Sequence, residues 1–179
     1  MNKTKILGVI DMQNDFIDGV LGTKEAVVIV DKVVEKIKNF EGTIFATLDT
    51  HYDNYLDTQE GKKLPVPHCI KMSDGWLIND KIREALIEKN CKFIEKETFG
   101  SQRLATKIGE IDYHTEIESI ELVGVCTDIC VVSNAIILKN EFPEIEIIVD
   151  ASCCAGVTSE KHKFALETMK SCQIEVIGE

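Results

Sequence analysis

The sequence is short of proline, of positive charge and of long apolar runs, and each shortage excludes a class of protein. Only three of the 179 residues are proline and 44% are hydrophobic, which is typical of a compact domain rather than a disordered chain. The 20 basic residues are outnumbered by 31 acidic ones, and the net charge of -11 argues against nucleic acid or an anionic membrane as a partner. No apolar run has the length of a membrane span, and the N-terminal one meets an acidic residue too early for a signal peptide, so we expect a cytoplasmic protein.

Two kinds of binding motif are also missing. None of the seven cysteines forms a CxxC pair, which argues against a structural zinc site built on cysteine, and an odd number of cysteines in a cytoplasmic chain favours free thiols. Neither GxGxxG nor GxxxxGK[ST] occurs, so the sequence gives no support for dinucleotide or ATP binding.

Short apolar strands alternate with amphipathic helices along the whole chain. We predict strands at residues 4–11, 42–49, 91–96, 119–125, 144–150 and 173–178, and helices at 24–40, 79–90, 101–110, 127–140 and 159–172. Alternating strands and helices imply right-handed crossovers and a parallel sheet covered on both faces. The predicted fold is therefore one α/β domain over residues 1–179, a three-layer sandwich around a six-stranded, mainly parallel sheet.

Reactive side chains follow the first four predicted strands. Asp11 ends the first, Asp49 and His51 follow the second, Lys96 ends the third, and the segment CTDIC, with Cys130, follows the fourth. Open α/β sheets form their sites at this edge, where the strand order reverses. Taken singly, Asp11 is better explained as a helix cap or turn former and Lys96 as a solvated charge at the end of a strand.

The segment CTDIC begins a predicted helix. If Thr127 is the N-cap, Cys130 lies in the first helical turn, where free backbone N–H groups and the helix dipole favour an anion. This placement predicts a lowered thiol pKa and donors for an oxyanion. Simple packing of Cys130, or a redox pair with Cys126, are the alternatives.

A nucleophilic Cys130 requires a base. Of the histidines, His114 lies in a polar loop and His162 on a charged helix face, and both are interpreted as surface residues. Asp11 is the better candidate, because its strand is expected beside the fourth strand. Lys96 would hold Asp11 as a carboxylate or favour the thiolate.

A thirty-residue connection, residues 50–79, separates the second strand from the next helix. Connections of this length are uncommon in compact domains and are usually functional. With the end of the preceding strand it offers Asp49, His51, Glu60 and His68 as possible ligands, which suit zinc, iron or manganese better than calcium. Ordinary surface residues are the alternative.

Five motifs together resemble one known family. The segments GVIDMQNDF, ATLDTH, LPVPHC, the lysine of IEKETFG and LVGVCTDICV are similar to those of the isochorismatase-like cysteine hydrolases, whose metal-bearing branch includes nicotinamidases. The likeness extends from Ile6 to about Asp150. It implies the isochorismatase-like hydrolase fold, a Rossmann-like parallel sheet between helices, in agreement with the predicted architecture.

The resemblance implies a catalytic triad of Asp11, Lys96 and Cys130. It also implies an oxyanion hole made by the backbone N–H groups of Cys126 and Cys130, and a cis peptide between Val125 and Cys126. The implied reaction is hydrolysis of a small carboxamide through a thioester, with nicotinamide giving nicotinate and ammonia as the closest match. Family members are commonly dimers or larger, so a homo-oligomer is expected.

The resemblance further implies a divalent metal, zinc first with iron or manganese as alternatives. Its ligands would be Asp49, His51, Glu60 and His68. Tyr55 stands where many nicotinamidases have a second histidine, and Glu60 matches the glutamate that replaces this histidine in other members.

Substrate contacts match the family less closely. Pro65 stands where an aromatic residue usually precedes the last histidine, and Phe16 and Phe99 are the candidates for stacking on a substrate ring. Three alternatives follow: a metal-free isochorismatase-type hydrolase, a ureido or carbamoyl hydrolase, and a non-enzymatic thiol module. Retention of DTH and PHC argues against the isochorismatase type.

Overall fold

A computed structural model of the protein describes residues 3–179 and contains one six-stranded, fully parallel sheet. The strands follow the order β3-β2-β1-β4-β5-β6. Their bounds are β1 Thr4–Ile10, β2 Thr43–Asp49, β3 Lys92–Lys96, β4 Ile117–Val125, β5 Glu146–Ala155 and β6 Glu175–Ile177. All six predicted strands are present, and β5 continues five residues beyond the predicted end at Asp150.

Helices cover both faces of the sheet, so the predicted three-layer architecture is confirmed. The helices are α1 Asn14–Ile17, α2 Lys24–Asn39, α3 Gln59–Lys63, α4 Asp80–Glu88, α5 Gln102–Asp112, α6 Val132–Glu141 and α7 Ser159–Ser171. Strand β1 shows how two cores arise: Ile6 and Ile10 join the core under α5, α6 and α7, whereas Leu7 and Val9 join the core under α1, α2 and α4. Among the helices of residues 3–179, none combines the length and the apolar composition needed to cross a bilayer.

Helix α2 illustrates why these segments are helical. Thr23 caps the N-terminus by accepting a hydrogen bond from the backbone N–H of Ala26 at 3.0 Å. Apolar side chains then recur every three or four residues and form the buried face: Ala26, Ile29, Val30, Val33 and Ile37. Asn79 caps α4 in the same way, because its side chain accepts a hydrogen bond from the backbone N–H of Lys81.

The strand order reverses between β1 and β4, and their carboxyl ends come very close together there. Gly124 makes this approach possible, because its φ of 121° is left-handed and a Cβ atom would collide with the backbone of Ile10. Asp11, directly after β1, also has a positive φ of 49°. The Val125–Cys126 peptide bond is cis, as the resemblance implies. This edge is where α/β sheets of this type form their sites.

The long connection after β2 is more ordered than the predicted irregular stretch. It contains a 3₁₀ turn at Tyr55–Asp57 and the short helix α3, which Thr58 caps through the backbone N–H of Gly61. Two isolated bridges order the connection: His51 with Ile70 joins its start to its middle, and Gln13 with Ile78 joins its end to the segment that follows β1.

Candidate active site

Three predicted residues meet at the carboxyl edge of the sheet. The Lys96 ammonium lies 2.7 Å from Asp11 Oδ2 and 3.6 Å from Cys130 Sγ. None of the three residues is more than 5% exposed. The strand order explains the meeting: β1 and β4 are neighbours, and Lys96 reaches across the end of β2 from β3. An acid, an ammonium and a thiol therefore share one buried volume.

Thr47, on β2, completes the environment of Asp11 and is not singled out by the sequence. Its hydroxyl donates to Asp11 Oδ1 at 2.6 Å and accepts from the backbone N–H of Asp11 at 3.2 Å. Oδ1 of Asp11 therefore has a hydrogen bond, whereas Oδ2 has only the ion-pair contact with Lys96. The carboxylate is thus held in one orientation.

The protonation states of the three groups follow from their burial. Burial raises the pKa of Asp11 above 3.8, and the charge of Lys96 and the Thr47 hydrogen bond offset this only in part. Burial would lower the pKa of Lys96, but Asp11 and the neighbouring anionic groups raise it instead, so the ammonium keeps its proton.

The predicted low pKa of Cys130 is wrong. Complete burial raises the pKa of this thiol well above 9.0, the carboxylate of Asp11 raises it further, and Lys96 opposes the shift only in part. Burial therefore favours the neutral form of the Cys130 thiol, which lies beside the carboxyl group of Asp11.

The backbone around Cys130 also differs from the prediction. Residues Thr127–Val131 form a π-helical turn whose N-cap is Cys126 rather than Thr127. The carbonyl oxygen of Cys126 accepts from the N–H groups of Ile129 and Val131, both at 3.1 Å. Burial first, and the nearby carboxylates second, raise the pKa of the Cys126 thiol to about 12, which gives no support for a reactive dithiol pair.

A second cluster lies beside the first and has the composition of a metal site. One ligand atom from each of Asp49, His51 and His68 lies within 4.8 Å of the other two. Glu60 Oε1 is 3.7 Å from His51 Nε2 and 3.8 Å from His68 Nε2. Lys96 links the clusters, because its ammonium is also 3.3 Å from Asp49 Oδ1.

The donor set fits a divalent cation. His68 Nδ1 lies 2.8 Å from the carbonyl oxygen of Val66, which can only accept, so Nδ1 carries the proton and Nε2 presents its lone pair to the cluster. Two imidazoles and two carboxylates around one point suit zinc, iron or manganese.

Tyr55 is not part of this donor set. Its ring centroid lies 4.7 Å from that of His51 and 5.1 Å from that of His68, in edge-on contacts. Its hydroxyl points away and donates to the carbonyl oxygen of Leu64 at 3.0 Å. The Tyr55 ring therefore packs against the two imidazoles, and Glu60 is the fourth group that faces the cluster.

Gln13 is a second residue that sequence reasoning missed. Its side-chain oxygen accepts from the backbone N–H of Asp49 at 2.7 Å, and its Nε2 donates to the carbonyl oxygens of Asp49 and Trp76, both at 2.8 Å. The Trp76 indole in turn donates to Thr50 at 2.9 Å. This buried amide joins β1, β2 and the long connection at the site.

The two candidate stacking residues occupy different places. Phe16 is buried, and its ring centroid is 5.5 Å from that of His68. Phe99 is 48% exposed, and its carbonyl oxygen accepts from Asn134 Nδ2, which also donates to the carbonyl oxygen of Cys130 at 2.8 Å. Asn134 thereby ties the segment of Phe99 to the turn of Cys130.

Of the two histidines interpreted as surface residues, only His114 is exposed. His162 is half-buried, and its Nδ1 lies 2.8 Å from Thr127 Oγ1. Burial lowers the pKa of His162 below 6.5, although Asp128 and Glu179 oppose the shift. The helical position of His162 in the sequence could not indicate this contact with the turn of Cys130.

Comparison with known proteins points to one family. A family model described as the isochorismatase domain matches residues 5–178. A Bacillus subtilis (strain 168) protein, the uncharacterized isochorismatase family protein PncA, is 30% identical over 176 residues, which cover 90% of this chain and 92% of that protein.

Two solved structures share the fold. The crystal structure of nicotinamidase/pyrazinamidase PncA from Bacillus subtilis matches with a TM-score of 0.83 at 26% identity, over 97% of this chain and 98% of that one. The pyrazinamidase/nicotinamidase from Streptococcus mutans UA159 matches with a TM-score of 0.83 at 27% identity, over 97% of this chain and 100% of that one.

Proposed function

The chain belongs to the isochorismatase family, and from this premise we propose that it is a cysteine-dependent amidohydrolase that converts nicotinamide to nicotinate and ammonia. The observation that carries the proposal is the buried contact among Asp11, Lys96 and Cys130 beside a four-residue donor cluster. The names of the two similar solved structures support the amide substrate.

The first half of the reaction forms a thioester. Asp11 accepts the proton of Cys130, and the sulfur attacks the carboxamide carbon while the carbonyl electrons move to oxygen. The backbone N–H groups of Cys126 and Cys130 stabilise this oxyanion. The C–N bond then breaks, and Asp11 returns the proton to the departing nitrogen, so ammonia leaves.

The second half of the reaction hydrolyses the thioester and regenerates the free enzyme. Asp11 takes a proton from water, whose oxygen attacks the thioester carbon, and the C–S bond breaks as the proton returns to Cys130. The net reaction consumes one amide and one water and produces one acid and one ammonia. Throughout, the Lys96 ammonium offsets negative charge on Asp11 and on the sulfur.

The donor cluster would hold a divalent cation, zinc first, through Asp49, His51, Glu60 and His68. When bound, the cation supplies a Lewis-acidic anchor for a ring nitrogen of the substrate. Phe16, beside His68, would contribute an apolar surface to the ring, and Phe99 would cover it from the exposed side.

Ammonia release from nicotinamide by the purified protein tests the proposal. Cys130→Ala should abolish release, whereas the matched control Cys172→Ala, which changes a cysteine between α7 and β6, should retain it. Acid quenching during turnover followed by peptide mass analysis should place a nicotinoyl group on Cys130. Equal ammonia release by Cys130→Ala and the unaltered protein would refute the cysteine mechanism.

A further inference from the structure

We propose that His162, on α7, is a positioning residue for catalysis: by its hydrogen bond to Thr127 it holds the turn that carries Cys126 and Cys130 in the geometry the oxyanion requires. This inference rests on the proposed function and adds a residue that no resemblance to the family suggested. It starts from one contact and gains support from the packing around it.

The contact joins α7 to the first residue of the π-helical turn. His162 Nδ1 lies 2.8 Å from Thr127 Oγ1, and Thr127 is fully buried. Thr127 directly follows Cys126, whose N–H group is a proposed oxyanion donor, so a shift of its side chain moves that donor. A buried hydroxyl that loses its partner is costly, and this cost keeps the pair together.

Asp128, the next residue of the turn, is held by the segment that leads from β5 into α7. Asp128 Oδ1 accepts from the backbone N–H of Val157 at 2.9 Å. At Gly156, a Cβ atom would lie 2.9 Å from Asp128 Oδ1 and 2.9 Å from the backbone nitrogen of His162. Only glycine permits this close approach, so the junction of β5 and α7 is packed tightly against the turn.

The start of the turn has no side-chain cap of its own, because its N-cap, Cys126, makes no side-chain capping bond. Thr127, the residue that the sequence suggests as a cap, uses its hydroxyl for His162 instead. Asn134 holds the carbonyl oxygen of Cys130 at the far end of the turn, so the contact with α7 is the side-chain hydrogen bond that fixes Thr127 at its start.

Single and double substitutions test this role. His162→Ala removes the contact from one side, and Thr127→Val removes it from the other with little change in volume, so the test stands even if one variant does not fold. His162→Asn keeps a polar atom near the position of Nδ1 and should restore most of the activity. His114→Ala, at an exposed histidine, is the matched control.

We expect His162→Ala and Thr127→Val each to lower kcat about 10- to 100-fold with KM changed by no more than about twofold, because misplacing a catalytic group by about 1 Å can cost about 100-fold in rate. The double variant should be no slower than the slower single variant, since both remove one interaction. Additive losses, or an unchanged kcat in both single variants, would overturn the inference.

A binding measurement separates this role from general structural damage. Nicotinaldehyde reacts with a thiol by forming a sulfur–carbon bond as the C=O double bond opens, and the thiol proton passes to the new oxygen. Its adduct places that oxygen in the oxyanion hole, whereas nicotinate binds without a covalent bond. The variants should lose affinity for the aldehyde about tenfold or more and keep their affinity for nicotinate.

The outcomes distinguish the two proposals. An unaltered protein that releases no ammonia from nicotinamide refutes the proposed function, while the aldehyde affinities still test His162. If the unaltered protein is active, two results refute the positioning role alone. In one, the His162→Ala and Thr127→Val variants bind the aldehyde as tightly as the unaltered protein does. In the other, they lose affinity for nicotinate as much as for the aldehyde.

Discussion

Replacing Thr47 by valine should shift the pH dependence of catalysis, because it removes one of the two partners of the proposed base. The Thr47 hydroxyl donates to Asp11 Oδ1 at 2.6 Å, and both residues are buried. A hydrogen bond to a charged group contributes about 1.5–3 kcal/mol. The bond favours the ionised form of the carboxyl group, so losing it should raise the pKa of Asp11 further.

The direction of the effect on activity follows from the role of Asp11. The proposed reaction needs the carboxylate form of Asp11, so kcat/KM should be highest above the pKa of Asp11 and should decrease as the pH falls through that pKa. Burial already places this pKa above 3.8. Thr47→Val raises it further, and the acid limb of the profile should therefore move to higher pH.

The assay is ammonia release from nicotinamide, measured as kcat/KM between about pH 4 and pH 8, a window chosen around the reference carboxyl pKa. Thr47→Ser keeps the hydroxyl and should keep the acid limb of the unaltered protein. Metal content of each variant must be equal, because Thr47 lies two residues before Asp49 on β2. A Thr47→Val enzyme whose acid limb does not move would refute the assignment of Asp11 as the base that this hydrogen bond tunes.

Three further predictions concern metal, charge and stability. Glu60→Gln should weaken metal binding about tenfold or more, measured by competition with a chelator, whereas Tyr55→Phe, which loses only the hydroxyl that points away, should bind metal normally. Lys96→Met should lower kcat by about 100-fold or more, because it leaves the buried Asp11 without its charged partner. A Lys96→Met variant whose kcat is similar to that of the unaltered enzyme would contradict this. Burial would raise the pKa of Asp150, but hydrogen bonds from Lys36 and Ser152 lower it below 3.8. The ionised Asp150 therefore stabilises the fold at pH 7, so Asp150→Asn should reduce Tm at pH 7 and should have a smaller effect as the pH falls toward 3.

The sheet and the meeting of Asp11, Lys96 and Cys130 could be predicted, because both follow from local sequence patterns. Each of the first three strands is a short apolar run that ends in, or is followed by, Asp11, Asp49 or Lys96, and a parallel sheet brings all such ends to one edge. The length and composition of the connection after β2 indicated His51, Glu60 and His68, with Asp49, as possible ligands. The choice between Tyr55 and Glu60 required coordinates, because it depends on the direction of a hydroxyl.

What the sequence could not indicate are contacts between distant elements and the effect of burial. Thr47 and Asp11 are 36 residues apart, and Thr127 and His162 are 35 apart, so no local periodicity connects them. The error about Cys130 has a different cause: its place at a helix start is visible in the sequence, but its complete burial beside Asp11 is not, and burial has the larger effect on the thiol pKa.

The charges of the two clusters explain why they belong together. Asp11, Asp49 and Glu60 bring three carboxylates, and the Lys96 ammonium, which contacts Asp11 and Asp49, offsets one of them. With both imidazoles counted as neutral ligands, two negative charges remain around His51 and His68, which are buried, whereas the Glu60 side chain is about a quarter exposed. Leaving such charges unpaired is costly, and a divalent cation neutralises both at once. In the proposed mechanism Asp11 takes the proton of Cys130, and the Lys96 ammonium contacts Asp11, Asp49 and Cys130, so one lysine offsets charge in both clusters.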